Sequence, residues 1–223
     1  MIFTKYSAVL FDKDGTIFDS ETIYCHAWVE TAKEYKVHFT PDMYEQFVGV
    51  RSQECYRMAA ELFGDNFPMD DFILSIKQWI NQKKSQDVPF KQGFQTFFTE
   101  LILEQPILGL VTSSDNNAMQ LTFAPYEEYL QHFSVLVTGD QVKEAKPAPE
   151  PYLLACAKLN VQPKNVLVFE DSAAGIKAGL SAGCQVAAIP DYLPIDPLLL
   201  KQCAYVFESF DEAKKVLLNT KEL

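Results

Sequence analysis

Several features are absent from this chain of 223 residues, and each absence narrows its class. Hydrophobic residues make up 48% of it, enough for a substantial core, yet no apolar run reaches the about 18 residues that suggest a membrane span. No membrane partner is expected. The opening Met1-Ile2-Phe3-Thr4-Lys5 lacks the basic region, long apolar stretch and cleavage site of a signal peptide, so a cytoplasmic location is expected. The five cysteines, at 25, 55, 156, 184 and 203, are scattered and form no Cys-x-x-Cys pair. That argues against a disulfide framework or zinc site and leaves buried, reduced thiols as the expectation. His26, His38 and His132 have no ligand spacing with one another and receive no role. Positive charge is also scarce, with 19 Lys and Arg against 30 Asp and Glu, a net charge of −11 and no basic cluster, so nucleic acid is not expected as a partner. A small anionic substrate would have to be received by a metal ion and one or two well-placed cations.

What is present begins at Ala8-Val9-Leu10-Phe11-Asp12-Lys13-Asp14-Gly15-Thr16. Four apolar residues of the kind that fill a strand buried on both faces run straight into two carboxylates one residue apart, then a glycine. If Asp12 ends the strand and Gly15 releases the backbone into a turn, Asp12 and Asp14 project into the sheet mouth and Lys13 points elsewhere. One carboxylate can attack while the other shuttles a proton, since two close carboxylates resist ionising together. An acidic turn is the plainer alternative. A calcium-binding helix-loop-helix fits worse, because its glycine belongs at the sixth position and its last acid at the twelfth, where this chain has Ile23.

The pattern then turns helical. Tyr24, Trp28, Thr31 and Tyr35 recur at helical steps between Ser20 and Lys36, and Thr40-Pro41 reads as a helix start. Phe72, Ile73, Ile76, Trp79 and Ile80 line one face of a further helix, with Lys77, Gln78, Asn81, Lys83 and Lys84 on the other. Residues 17–91 are expected to form a small helical domain inserted after the first strand, and 1–16 with 92–223 an α/β core. In that core Ile107–Val111, Val135–Val137, Val166–Phe169 and Gln185–Ile189 are expected strands, alternating with helices at 148–159 and 172–181. The fold class is therefore α/β, with a Rossmann-like, mostly parallel sheet covered by helices on both faces.

Polar groups follow these strands. Thr112-Ser113-Ser114 is expected to open a helix, where a hydroxyl and backbone N–H groups can receive an anion, though the same residues can simply cap it. Glu170 and Asp171, with Asp12, can supply the hard oxygen ligands Mg²⁺ prefers, or can be the acids that favour any helix N-terminus. Lys146 sits in Glu144-Ala145-Lys146-Pro147-Ala148-Pro149-Glu150-Pro151, whose prolines stiffen the approach to a helix. A lysine held there beside carboxylates can offset their charge and grip a phosphate oxygen.

Taken in order, Asp12-x-Asp14-Gly15-Thr16, Thr112 after a strand, Lys146-Pro147, and Glu170-Asp171-Ser172 with Gly175 resemble the four motifs of the haloacid dehalogenase-like (HAD) superfamily. The helical insertion resembles the C1 cap of the subgroup that includes β-phosphoglucomutase and many small-metabolite phosphatases. The resemblance implies a phosphatase acting on a small phosphorylated metabolite, with Asp12 as nucleophile and Asp14 as the acid and then the base. It further implies that Thr112, the Ser113 backbone N–H and Lys146 hold the phosphoryl oxygens. The metal ligands would be Asp12, the Asp14 carbonyl, Asp171 and, directly or through water, Glu170, with Mg²⁺ as the cofactor. Arg51, in Gly49-Val50-Arg51, resembles part of the substrate-specificity loop. Lys13 stands where the family usually has an apolar residue, and Ala145 where glycine commonly precedes the lysine.

Two alternatives differ in what the aspartate does. A phosphosugar mutase would pass the phosphoryl group to a sugar hydroxyl, but Tyr24 stands where the mutase has a cap histidine. A receiver-like signalling module or non-catalytic phosphate-binding protein shares the residue types, but a receiver puts its acidic pair first and has no Asp two residues after the phosphorylated one. Dehalogenase chemistry is disfavoured because dehalogenases lack the second aspartate.

Overall fold

The computed structural model describes residues 5–48, 50, 52–104 and 106–218. Six strands form one sheet: β1 (Ala8–Phe11), β2 (Ile107–Val111), β3 (Phe133–Val137), β4 (Val166–Glu170), β5 (Gln185–Ala188) and β6 (Tyr205–Val206). Their order is β3-β2-β1-β4-β5-β6, and every pairing is parallel. Parallel neighbours require crossovers, and helices supply most of them. Eleven α-helices are described: α1 (Ser20–Glu34), α2 (Pro41–Tyr44), α3 (Ser52–Phe63), α4 (Met69–Lys84), α5 (Phe94–Leu103), α6 (Asn116–Phe123), α7 (Glu127–Leu130), α8 (Glu150–Leu159), α9 (Ala173–Ser181), α10 (Pro197–Leu200) and α11 (Phe210–Leu217). Among the described residues no helix is long and apolar enough to cross a membrane.

The chain divides into two compact units, Met1–Asp19 with Pro89–Leu223, and Ser20–Val88. In the first, strand alternation decides what each face meets. Ala8 and Leu10 of β1 join Val166 and Val168 of β4 in a cluster with Tyr152, Ala155 and Cys156 of α8 and Ile176 and Ala178 of α9. The opposite face is aromatic. Phe11 stacks on Phe169 at 5.0 Å and meets Phe94 edge-on at 6.0 Å, while Phe97 packs on Phe210 at 5.2 Å. Each fully buried phenylalanine contributes about 1.5–3 kcal/mol, so this layer helps anchor the strand that leads into Asp12.

The second unit has its own core around Trp28, whose ring lies 5.0 Å from Phe47 and 5.7 Å from Phe72. Thr40 caps α2 by accepting from the Met43 amide, with Pro41 in the first turn. Lys84 corrects the expected polar face of α4: it is buried, and its Nζ donates to the Tyr24 hydroxyl at 2.8 Å. Its long stem can lie against apolar neighbours while the ammonium finds an oxygen. A second correction concerns Thr112-Ser113-Ser114, which do not open a helix. The helix begins at Asn116, and Asp115 caps it by accepting from the Ala118 amide at 2.8 Å. Asp115 is as good a cap as serine or threonine, so the three preceding residues remain in the loop.

Candidate active site

Parity along the strands places the charged groups. Glu170 follows Val166 and Val168 on the β4 face that looks toward α8 and α9, and there it is fully buried. A buried carboxylate must be fully hydrogen-bonded. One oxygen of Glu170 accepts from Lys146 Nζ at 2.8 Å and Tyr152 OH at 2.7 Å. The other accepts from the Asp171 amide at 3.1 Å, the Ser172 amide at 3.2 Å and Ser172 Oγ at 3.1 Å.

Lys146 ties the strand ends together. Its ammonium donates to Asp12 Oδ1 at 2.5 Å, Glu170 Oε1 at 2.8 Å and the Val111 carbonyl at 3.0 Å. Thus β1, β2 and β4 converge on one cation, and Thr112, the buried residue after Val111, is carried to the same edge. Burial opposes the charge on Lys146, but Asp12 and Glu170 outweigh it and hold its pKa above the usual lysine range. Burial pushes Asp12 up to about 7; Lys146 opposes that shift, and the Glu170 and Asp14 charges add to it. Asp171 is raised as well, first by burial and then by Glu170 and Asp12. One ammonium among several close carboxylates leaves negative charge uncompensated.

One carboxylate oxygen from each of Asp12, Glu170 and Asp171 lies within 4.8 Å of the other two. An all-oxygen donor set of this kind, carrying excess negative charge, fits a small hard cation such as Mg²⁺ better than zinc. The turn after β1 shapes the space. Gly15 has φ +84°, and a Cβ there would fall 2.2 Å from Asp171 Oδ2, so glycine serves both the left-handed turn and the close approach. Thr16 Oγ1 donates to Asp171 Oδ1 at 2.8 Å and fixes that carboxylate.

Asp14 lies at this edge too, through Ser114, whose Oγ donates to its Oδ2 at 2.9 Å. Ser113 is exposed beside it in the same loop, where Thr112 Oγ1 accepts from the Ser114 amide at 3.1 Å. Lys13 departs from the expected picture. Instead of pointing away from both aspartates, it is buried and folds back so that its Nζ donates to Asp14 Oδ1 at 2.9 Å. A buried ammonium needs an oxygen partner, and the Asp14 carboxylate provides one. Sequence reasoning also missed Tyr152. A tyrosine in the first turn after the proline-rich loop was its only visible signal. Arg51, with Gly49, lies outside the described residues.

Comparison with known proteins identifies the family. The sequence profile of the haloacid dehalogenase-like hydrolases matches residues 9–189. A phosphorylated carbohydrates phosphatase of Thermotoga maritima is 33% identical over 191 residues, covering 80% of this chain and 82% of that protein. The validoxylamine A 7'-phosphate phosphatase of Streptomyces hygroscopicus is 29% identical over 178 residues, covering 80% and 83%. A solved Thermotoga maritima structure, described as a candidate β-phosphoglucomutase, superposes with a TM-score of 0.82 at 28% identity, covering 97% of this chain and 99% of that one. The chain belongs to the haloacid dehalogenase-like hydrolase family.

Proposed function

We propose that this member of the family, a phosphoric monoester hydrolase, releases phosphate from a small phosphorylated metabolite through a phosphoaspartate formed on Asp12, with Mg²⁺ as its cofactor. The observation that carries the reading is the convergence of Asp12, Lys146, Glu170 and Asp171 at the ends of β1 and β4. Asp12 attacks phosphorus, and Asp14 gives a proton to the departing oxygen; Asp14 then takes a proton from the water that hydrolyses the acyl phosphate. Lys146 begins with all three N–H groups engaged, so it exchanges its bond to Asp12 for one to a phosphoryl oxygen. Thr112 Oγ1 and the Ser113 amide hold the remaining oxygens. Asp12, the Asp14 carbonyl and Asp171 would hold Mg²⁺, which supplies the positive charge that lets an anionic nucleophile meet a phosphate dianion. Glu170 takes an outer place, because five donors already occupy its two oxygens and direct ligation would break at least one of those bonds.

The relative from Thermotoga maritima that acts on phosphorylated carbohydrates makes sugar phosphates the first substrates to test. The experiment is phosphate release from sugar phosphates, phosphoglycolate and nucleotides with Mg²⁺, repeated with excess chelator and with Asp12→Asn. Turnover is expected on at least one compound and should disappear in both controls. Full turnover in chelator would remove the metal from the scheme, and near wild-type turnover by folded Asp12→Asn would remove the covalent step.

A further inference from the structure

The residue between the two aspartates has a task of its own. Lys13 has a side chain with 0% exposure, against 27% for Asp14, and its ammonium lies 2.9 Å from Asp14 Oδ1 and 2.8 Å from Oδ2. Thr122 Oγ1, on α6, is a third neighbour of that ammonium at 3.4 Å. Ser114 Oγ also donates to Asp14 Oδ2, at 2.9 Å. The base of this arrangement is rigid, because the Lys13 carbonyl accepts from both the Ile17 and Phe18 amides at 3.0 Å. The carboxylate of Asp14 is thus held by two side-chain donors that belong to different segments of the chain.

We infer that Lys13, with Ser114, is a positioning residue that aims the Asp14 carboxylate at the departing oxygen of the substrate. The inference rests on the role proposed above for Asp14. As the P–O bond to the leaving group breaks, its electron pair stays on the leaving oxygen, which takes the proton from Asp14. Water later returns a proton to Asp14 as its oxygen bonds to phosphorus and the Asp12–phosphorus bond breaks. Both transfers require Asp14 at hydrogen-bond reach, and displacement by about 1 Å can cost about 100-fold in rate. A merely structural lysine would affect all substrates alike, whereas a lysine that aims a proton donor matters most when the leaving group needs the proton.

The test uses substituted phenyl phosphates running from 4-nitrophenyl to 4-methoxyphenyl, which share a shape and differ in leaving-group basicity. The value of kcat/KM reports steps only as far as leaving-group departure, so hydrolysis of the phosphoaspartate does not obscure it. Wild type should depend weakly on the leaving group. Lys13→Met keeps the unbranched stem and removes the ammonium; its dependence should steepen, with 4-methoxyphenyl phosphate losing about 10-fold more than 4-nitrophenyl phosphate. Ser114→Ala should shift the slope in the same direction, and it carries the test if Lys13→Met fails to fold by circular dichroism. Equal losses across the series in the variants that fold would overturn the inference while leaving the phosphatase reading intact. A wild type inactive on every phosphate monoester tested would instead remove the reading on which it rests.

Discussion

Replacing Gly175 with alanine should destabilise this protein even though the position lies inside a helix. Within α9 the exchange gains about 1 kcal/mol of helix propensity. A methyl group there, however, would lie 1.7 Å from Glu170 Oε1, 1.9 Å from its Cδ and 2.2 Å from Oε2. Glu170 is poorly able to retreat. Lys146 and Tyr152 hold one oxygen, and the start of α9 holds the other through Ser172, whose Oγ also accepts from the Gly175 amide at 3.0 Å. Giving up two hydrogen bonds to a charged group costs about 3–6 kcal/mol, which leaves a net loss of about 2–5 kcal/mol. For a chain of this size that corresponds to a fall in Tm of about 4–20 °C. Phosphate release should also fall at least about tenfold, because Lys146 loses one of its anchors. Gly179→Ala, one turn further along, is the control: its methyl would meet Val186 Cγ2 at 3.0 Å and Val168 Cγ1 at 3.7 Å, apolar groups that can shift, so its stability should change by about 1 kcal/mol or less. Urea denaturation and thermal scans of both variants decide the matter. A Gly175→Ala protein as stable and active as wild type would mean that Glu170 is not seated against α9 as described.

Three further outcomes are expected. In the metal dependence proposed above, Ca²⁺ should replace Mg²⁺ poorly, because its looser coordination disturbs in-line attack; comparable turnover with either ion would contradict this. The Glu150 carboxyl accepts from the Lys143 and Glu144 amides, which hold its pKa below the usual glutamate range. A depressed folded-state pKa contributes stability above the unfolded-state value of about 4.3 and loses it as pH falls through the folded-state value. Glu150→Ala should therefore lower Tm at neutral pH, and its gap from wild type should close in acid; a gap constant with pH would refute the assignment. Finally, β-glucose 1-phosphate with catalytic glucose 1,6-bisphosphate should yield free phosphate, since Tyr24 already accepts a hydrogen bond from Lys84 and a phenol is a weak proton carrier at neutral pH. Efficient conversion to glucose 6-phosphate would make this a mutase.

The parts of the fold legible in the sequence are those where local and global preferences coincide. The runs at 8–11, 108–111 and 166–169 are apolar throughout because those strand residues are buried on both faces, and each stops where the sheet opens. The carboxylates and Lys146 could be picked out because charge at such a boundary is conspicuous. Lys13 was misplaced, expected to point away but in fact folded inward. Whether a lysine between two aspartates faces water or folds inward depends on α6, more than a hundred residues away in sequence, where Thr122 sits. Tyr152 was hidden for a related reason, since the burial of its ring gives no sign that its hydroxyl seats a carboxylate. The start of α6 was misplaced because four consecutive residues from Thr112 to Asp115 all make good caps, and only tertiary packing selects the last.

The paired junctions of the inserted unit have an evolutionary consequence. The Asp19 amide donates to the Pro89 carbonyl at 2.8 Å, and Phe18 forms an antiparallel bridge with Phe90, so the outgoing and returning chain run side by side. The sheet thus sees the whole of Ser20–Val88 as one long loop tied off at its neck. The loop-closure entropy of such an insertion grows only with the logarithm of its length. Variation can accordingly lengthen, shorten or exchange that segment while leaving the register of β1 and the position of Asp12 alone. A lineage can thus diversify the excursion at little risk to the chemistry.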